Sequence, residues 1–411
     1  MVDNVNHVVH VVNHLLALQA VKAKRPETRS SWCNAVPRFD LYLCLITSSR
    51  SSGARNRRWK MFDTLKFSAV RRHLLAVAGA ALIAPQVWAA DPSTVTVAGY
   101  GGGLQDALIA TLWKPAAEKA GLKLMTESHD GQPAVRLQVQ SGKPAWDAIH
   151  IGANDCAALA KQGMLEPLDY SVIDAKGVPS LARDKNWIAT NSYSVVMGWR
   201  TDKFKEGPKS WKEFWDVKKF PGRRALSVAP DEMLEVALLA DGVPRAQLYP
   251  LDIKRGLASL EKIKPYVAVW WTSGAQSAQL IKDGEVDLIA IWSSRVDSVV
   301  KDKAPVAYTY EDGLLGYGCM AILKGAGNVS GAQKLIANSI SAPIQARIPT
   351  MMGYYGPTNS LAFEQPGVPA DALSSSNMSP ANRARQTLMD ARWWGEHIGD
   401  VQEDYKELIA R

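Results

Sequence analysis

Val95-Thr96-Val97-Ala98-Gly99-Tyr100-Gly101-Gly102-Gly103 is the stretch that decides how this 411-residue chain is read. Val95 to Ala98 is a short β-rich run that breaks into a glycine turn. Leu104, Leu108, Leu112 and Ala116 then recur at helical spacing as far as Gly121. Strand, glycine turn and helix together open an α/β unit. The alternation continues with strands at Leu122–Glu127 and Trp146–Ile151 and a helix over Asp155–Gln162, closed by Gly163. Ser192–Trp199 reads as a continuous apolar strand. After it comes a second α/β unit: strands at Ala225–Val228, Val267–Trp270 and Val286–Trp292, helices at Asp231–Ala240 and Ile253–Ile263. Val306–Tyr310 and Tyr317–Leu323 read as two strands flanking a Gly-rich turn. The fold class is therefore α/β with a mostly parallel sheet. It forms two lobes that the chain crosses between more than once, and a cleft between lobes is a common place for a small-molecule site.

Upstream of this domain lies an export signal. Arg71 and Arg72 precede the uncharged apolar run Leu74–Ala84, and Val87-Trp88-Ala89 offers cleavage after Ala89. The run is shorter than the ~20 residues a membrane span needs, so it reads as a cleaved signal over residues 61–89. Met61 is the expected start. Residues 1–60 read as a non-native or unstructured extension, and His7, His10 and His14 within it as chance residues, not a metal site. The mature protein is expected in the periplasm, with the general secretory route favoured over the twin-arginine one.

The leader also carries the excess charge. Residues 1–89 hold 13 of the 48 Lys and Arg but only 4 of the 40 Asp and Glu, so the remainder is near neutral. That leaves no basic face for nucleic acid. Cys156 and Cys319 survive processing. Export permits a disulfide between them, although two buried free thiols are the ordinary outcome.

The chain shows no Gly-x-Ser-x-Gly elbow, His-Glu-x-x-His pair or phosphate loop, and position 104 breaks the dinucleotide fingerprint. The expectation is a non-enzyme with no metal and no cofactor. Eleven tryptophans remain after residue 89. Trp270-Trp271-Thr272-Ser273-Gly274 and Trp292 fall at predicted strand ends, where α/β proteins bind ligands. Trp270, Trp271, Ser273 and Trp292 are thus candidates, with plain packing as the alternative for the paired tryptophans. Gly101 and Gly102 open a helix and let a ligand approach the backbone; a tight turn without a ligand role explains them equally well. Asn154 and Asp155 close another strand end, and Asp155 is alternatively a helix cap.

Trp146-Asp147-Ala148-Ile149, Gly163 to Asp169, Ser210 to Asp216, Tyr249 to Asp252 and Asp283 to Asp287 together resemble the periplasmic spermidine/putrescine-binding protein family, receptors of ABC importers. The resemblance covers nearly all of residues 94–360. It implies a two-lobe type II periplasmic binding fold with a hinge and an interlobe ligand cleft. Lobe 1 would comprise 90–198 and 304–340, and lobe 2 would comprise 199–303 and 341–411 with C-terminal helices. It also implies a monomer that hands a small amino compound to an inner-membrane ABC permease. On this pattern the ligand carboxylate maps to Glu232, the first-loop aromatic to Tyr100, the strand-end Trp to Trp292 and a further aromatic to Tyr317. Three positions depart: a family Asp is here Arg295, a first-loop carboxylate falls among glycines 101–103, and another Asp is Cys319.

A diamine needs an anion near each end, since an unpaired ammonium in a closed cleft is costly. Arg295 keeps its charge, repels an ammonium and pairs well with a carboxylate. Glu232 and Arg295 at opposite ends of the cleft would suit an ω-amino acid such as γ-aminobutyrate. The alternatives are an Arg295 turned to solvent or paired with Asp297 or Asp231, a true polyamine ligand, a periplasmic enzyme, or a chemoreceptor sensor on the same scaffold.

Overall fold

The computed structural model describes residues 93–410. The extension and export signal read from the sequence lie outside the described residues.

The first lobe starts with β1 (Thr94–Gly99) and α1 (Gly102–Leu108), which runs through a π-helical turn at Ile109–Trp113 into α2 (Lys114–Ala120). Gly101 and Gly102 have φ of 73° and 62°, a region that disfavours side chains, so the strand-to-helix turn needs glycine there. A Cβ on Gly99 would sit 2.5 Å from the Gln105 amide oxygen. That oxygen instead accepts the Gly101 N–H at 2.8 Å and ties the turn to the helix. β2 (Lys123–Ser128), α3 (Gln132–Gln140), β3 (Ala148–Gly152) and α4 (Ala153–Lys161) follow.

β4 (Trp187–Arg200) carries the chain into the second lobe. There follow α5 (Trp211–Trp215), β5 (Arg224–Ser227), α6 (Pro230–Ala240), α7 (Ile253–Ile263), β6 (Val267–Trp271), α8 (Gly274–Lys282), β7 (Leu288–Trp292) and α9 (Ser293–Lys301). β8 (Val306–Ile322) returns to the first lobe, where α10 (Val329–Ser339) packs. After short helical turns, β9 (Thr387–Leu388) joins β8, and α11 (Ala391–Ala410) closes the described chain.

The strand order is β2-β1-β3-β8-β4-β7-β5-β6. The outer strands of each half are parallel, and β8 and β4 run antiparallel in the middle. These two long strands belong to both lobes. Trp187, Ile188 and Ala189 of β4, with Tyr317 and Cys319 to Ile322 of β8, lie in the core of the first lobe. Val195, Met197 and Leu314 lie in the core of the second. The change of lobe therefore falls between Ala189 and Val195 on β4, earlier than residue 198. Ile344, Ile348 and Met352 pack in the first core, although the sequence reading assigned residues beyond 340 to the second lobe.

β8 corrects the expectation of two strands and a turn. It is one strand, with Val195 opposite Leu314 and Met197 opposite Thr309. Residues 310–313 thus face Val196 alone. Asp312, at φ 57°, and Gly313 form a bulge that absorbs the extra length while pairing continues on both sides.

Cys156 of α4 and Cys319 of β8 are disulfide-bonded, with Cα atoms 6.8 Å apart. The ordinary expectation of free thiols is corrected: β3 pairs with β8 in a register that places Ile151 opposite Cys319, and α4 starts two residues after Ile151.

Candidate solute-binding site

Three carboxylates from two lobes meet at the strand ends. Asp155 comes from the first turn of α4, and Asp231 and Glu232 from the first turn of α6. Pro230 starts α6, and Asp231 departs from helical geometry with ψ of 31°. Asn154, beside Asp155, donates from Nδ2 to Asp231 Oδ2 at 3.0 Å and so joins the lobes across the cleft.

Each carboxylate is held by neutral donors. The Tyr100 hydroxyl donates to Asp155 Oδ2 at 3.1 Å, and Gln132 Nε2 donates to Oδ1 at 2.6 Å. The Trp292 indole N–H reaches both oxygens of Glu232, at 2.8 and 3.1 Å. None of the three has an Arg or Lys ion-pair partner among the described residues. Arg136 acts on Asp155 at one remove, donating to the Gln132 amide oxygen at 2.6 Å. Burial raises the pKa of all three, and for Glu232 the adjacent Asp231 adds to it. Buried carboxylates with no cation beside them among the described residues are suited to holding a positive charge.

Tyr193, on β4, lies among Glu232, Asp231, Tyr100 and Asp155. Gly316 of β8 makes room for it, since a Cβ there would stand 2.5 Å from the phenol ring. Glu235, one helical turn beyond Asp231, is fully buried in the second lobe. It accepts from Tyr249 at 2.6 Å and from the Trp394 indole at 2.5 Å, and burial lifts its pKa to about 7.

Arg295 stands on the far side of Trp292. A Cβ on Gly274 would lie 2.5 Å from Arg295 Nε and 3.0 Å from Cε3 and Cζ3 of Trp292. The guanidinium and the benzo edge of the indole therefore share the space that Gly274 leaves open. The pyrrole edge of the same indole binds Glu232. Arg295 is exposed and has no carboxylate partner among the described residues. Asp297 pairs with Lys301 at 2.7 Å, and Asp231 is taken by Asn154.

Other candidates fall elsewhere. Trp271 is core: it is buried, donates to the Ala290 carbonyl at 3.0 Å and supports Trp292 edge-on at 5.1 Å. Trp270 packs edge-on against Tyr405 at 6.1 Å in the second core. Ser273 caps α8, accepting from the Gln276 N–H at 3.2 Å. Tyr317 pairs with Ser192, so it lies on the face of β8 opposite Gly316 and Tyr193 and away from the carboxylates. Asp155 does not cap α4, whose N-cap is Gly152. Asp231, Tyr193 and Gln132 join the cluster without having been singled out as site residues in the sequence. The adjacency of Asp231 to Glu232 was the one usable signal. Among the described residues no group of His, Cys, Asp and Glu is set to hold a metal, and no helix is long and apolar enough to cross a membrane.

Two lobes on shared central strands, with a charged and aromatic cluster between them, define a solute-binding receptor of the type II kind. The model of the bacterial extracellular solute-binding proteins matches residues 112–374, and the chain belongs to that family. A crystallised ABC transporter substrate-binding protein from Bradyrhizobium japonicum is 39% identical, with a TM-score of 0.74 over 77% of this chain and 99% of its own. The binding protein MotA from A. tumefaciens, crystallised with glucopine, is 35% identical, with a TM-score of 0.70 and the same coverage. The γ-aminobutyric acid-binding protein of Pseudomonas aeruginosa is 29% identical over 332 residues, 78% of this chain and 92% of the relative. The spermidine/putrescine-binding periplasmic protein of Salmonella typhimurium is 23% identical over 352 residues, 83% and 97% of the two chains, in keeping with the resemblance drawn from the sequence. The chain is a solute-binding receptor of an ABC importer.

Proposed function

We propose that the protein is a periplasmic, monomeric receptor that captures an ω-amino acid of the γ-aminobutyrate kind and presents it unaltered to its ABC permease. One relationship carries this reading: Trp292 has the carboxylate of Glu232 at one edge and the unpaired guanidinium of Arg295 at the other. A ligand lying along the indole meets a negative and a positive partner about one ring-width apart. Its ammonium would be taken by Glu232, Asp231 and Asp155, and its carboxylate by Arg295 in a two-pronged pair. The N–H groups of Gly102 and Gly103 would offer a second place for the carboxylate, that of Gly101 being donated to Gln105. Tyr100 and Tyr193 would wall the methylene chain and the cation.

The γ-aminobutyric acid-binding relative supports the ligand class. The relative crystallised with glucopine brings that compound into the same assay. Isothermal titration against γ-aminobutyrate, glucopine, putrescine and spermidine tests the reading, and mass spectrometry of the recovered ligand tests for turnover. Binding of γ-aminobutyrate that is lost in Arg295→Ala is expected. Tight putrescine binding with no amino acid signal overturns the zwitterion, and product formation overturns the receptor.

A further inference from the structure

Behind β8, on the face away from the carboxylates, lies a cavity of about 480 Å³. Its walls come from residues 179–181 before β4, from Tyr317 on β8, and from the segment 360–388. Leu181, Phe363, Met378 and Leu388 supply an apolar lining, broken by Ser180, Ser360, Glu364, Tyr317 and Arg383, of which the last two carry the argument.

Tyr317 is one of them. It is 4% exposed, yet its hydroxyl has no hydrogen-bond partner among the described residues. The hydroxyl is not among the sealed polar atoms of the described residues, so it opens on the cavity that Tyr317 lines. Arg383 is the other. Its guanidinium meets only the carbonyl of Gln386, at 3.3 Å, and has no carboxylate among the described residues. Arg383 lines the same cavity as Tyr317. Glu364 also borders the cavity but is exposed, so water screens it. An unpaired cation beside an unpaired hydroxyl donor, over an apolar floor, is a receptor for one carboxylate carrying a hydrocarbon body.

We propose that this cavity is a second small-molecule site, separate from the interlobe cleft, for a short apolar monocarboxylate. The carboxylate accepts from Arg383 and from the Tyr317 hydroxyl, and the alkyl or aryl body lies against Phe363, Met378 and Leu388. The occupant sits on the reverse of the strand that carries Gly316, the glycine that seats Tyr193 in the cleft.

Hexanoate is the probe, titrated into the full chain by calorimetry and followed by saturation-transfer NMR, with hexylamine as the charge-reversed control. Hexanoate is expected to bind at millimolar concentration or below. Arg383→Gln should weaken it at least tenfold and Tyr317→Phe severalfold, and Met378→Trp, which fills the cavity, should abolish it. Circular dichroism confirms that each variant is folded. Arg295→Ala should leave hexanoate binding unchanged. Absence of binding, equal binding of hexylamine, indifference to Arg383→Gln and Met378→Trp, or loss in Arg295→Ala each overturns the second site; the last assigns the carboxylate to the cleft.

Discussion

Asn154 of the first lobe donates a hydrogen bond to Asp231 of the second at 3.0 Å, and Asp231 has no Arg or Lys ion-pair partner among the described residues. The bond spans the two lobes, so any separation of them would break it. Removing the donor leaves Asp231 buried with less to hold it. Asn154→Ala should therefore weaken ligand binding about tenfold, the worth of one hydrogen bond to a charged group. It should also increase the radius of gyration of the liganded protein in small-angle scattering. Wild-type affinity and wild-type compaction in the variant would show that the bond does not hold the lobes together.

Proton release should accompany binding of an ammonium. Burial raises the pKa of Asp155, Asp231 and Glu232, and Asp231 raises Glu232 further. A cationic ligand favours the ionised carboxylates, so affinity should increase with pH until the empty site is ionised. Calorimetry in buffers of different ionisation enthalpy measures the protons directly. A ligand that takes up protons, or whose affinity falls as pH rises from 6 to 8, would contradict a site built for an ammonium.

Glu235 predicts a pH dependence of stability with the opposite sign. Its folded pKa is lifted to about 7 by burial, above the usual value for a glutamate, so the folded state holds a proton that the unfolded state gives up. Its stabilising contribution is complete below the unfolded pKa and is lost as pH rises through the folded one. Glu235→Gln keeps an acceptor for Tyr249 and Trp394 but cannot ionise. Relative to wild type, it should gain about 1–3 kcal/mol of stability at pH 8 over its standing at pH 5. Urea melts at the two pH values measure the difference.

The Cys156–Cys319 bridge closes a span of 163 residues. Cys156→Ser with Cys319→Ser should cost about 2–4 kcal/mol in a chemical melt. The bridge also fixes the helix that carries Asn154 and Asp155 to β8, so reducing agent should weaken ligand binding in the wild type and leave the double variant unchanged. Equal affinity with and without reductant would confine the bridge to a role in stability.

The parts of the fold that follow from local pattern were legible. The β1 turn reads directly, because a β-rich run breaks at Gly99 and Gly101–Gly103, and Gly101 and Gly102 take the positive φ of a tight turn that glycine adopts without strain. The helix over Ile253–Ile263 matches its predicted bounds because its apolar spacing and its Asp252 cap agree. β8 was misread because Asp312 and Gly313 carry a turn composition, whereas pairing with β4 on both sides makes the segment a bulge. The site was only half legible. Trp292 stood out at a strand end and Glu232 through the family resemblance, but Tyr193 is one aromatic in an apolar strand, and Gly316 on the neighbouring strand gives it a place to lie. Tyr317 failed for the complementary reason: strand alternation puts it one residue from Gly316, hence on the other face.

The covalent ring closed by Cys156 and Cys319 encloses the whole of the second lobe's parallel sheet, β5 to β7. A protease that nicks the backbone once inside this ring leaves both fragments attached to each other. The clipped receptor would migrate as a single species on a non-reducing gel and separate only after thiol treatment. Exported proteins meet peptidases routinely, and here one accidental cut does not release half of the molecule.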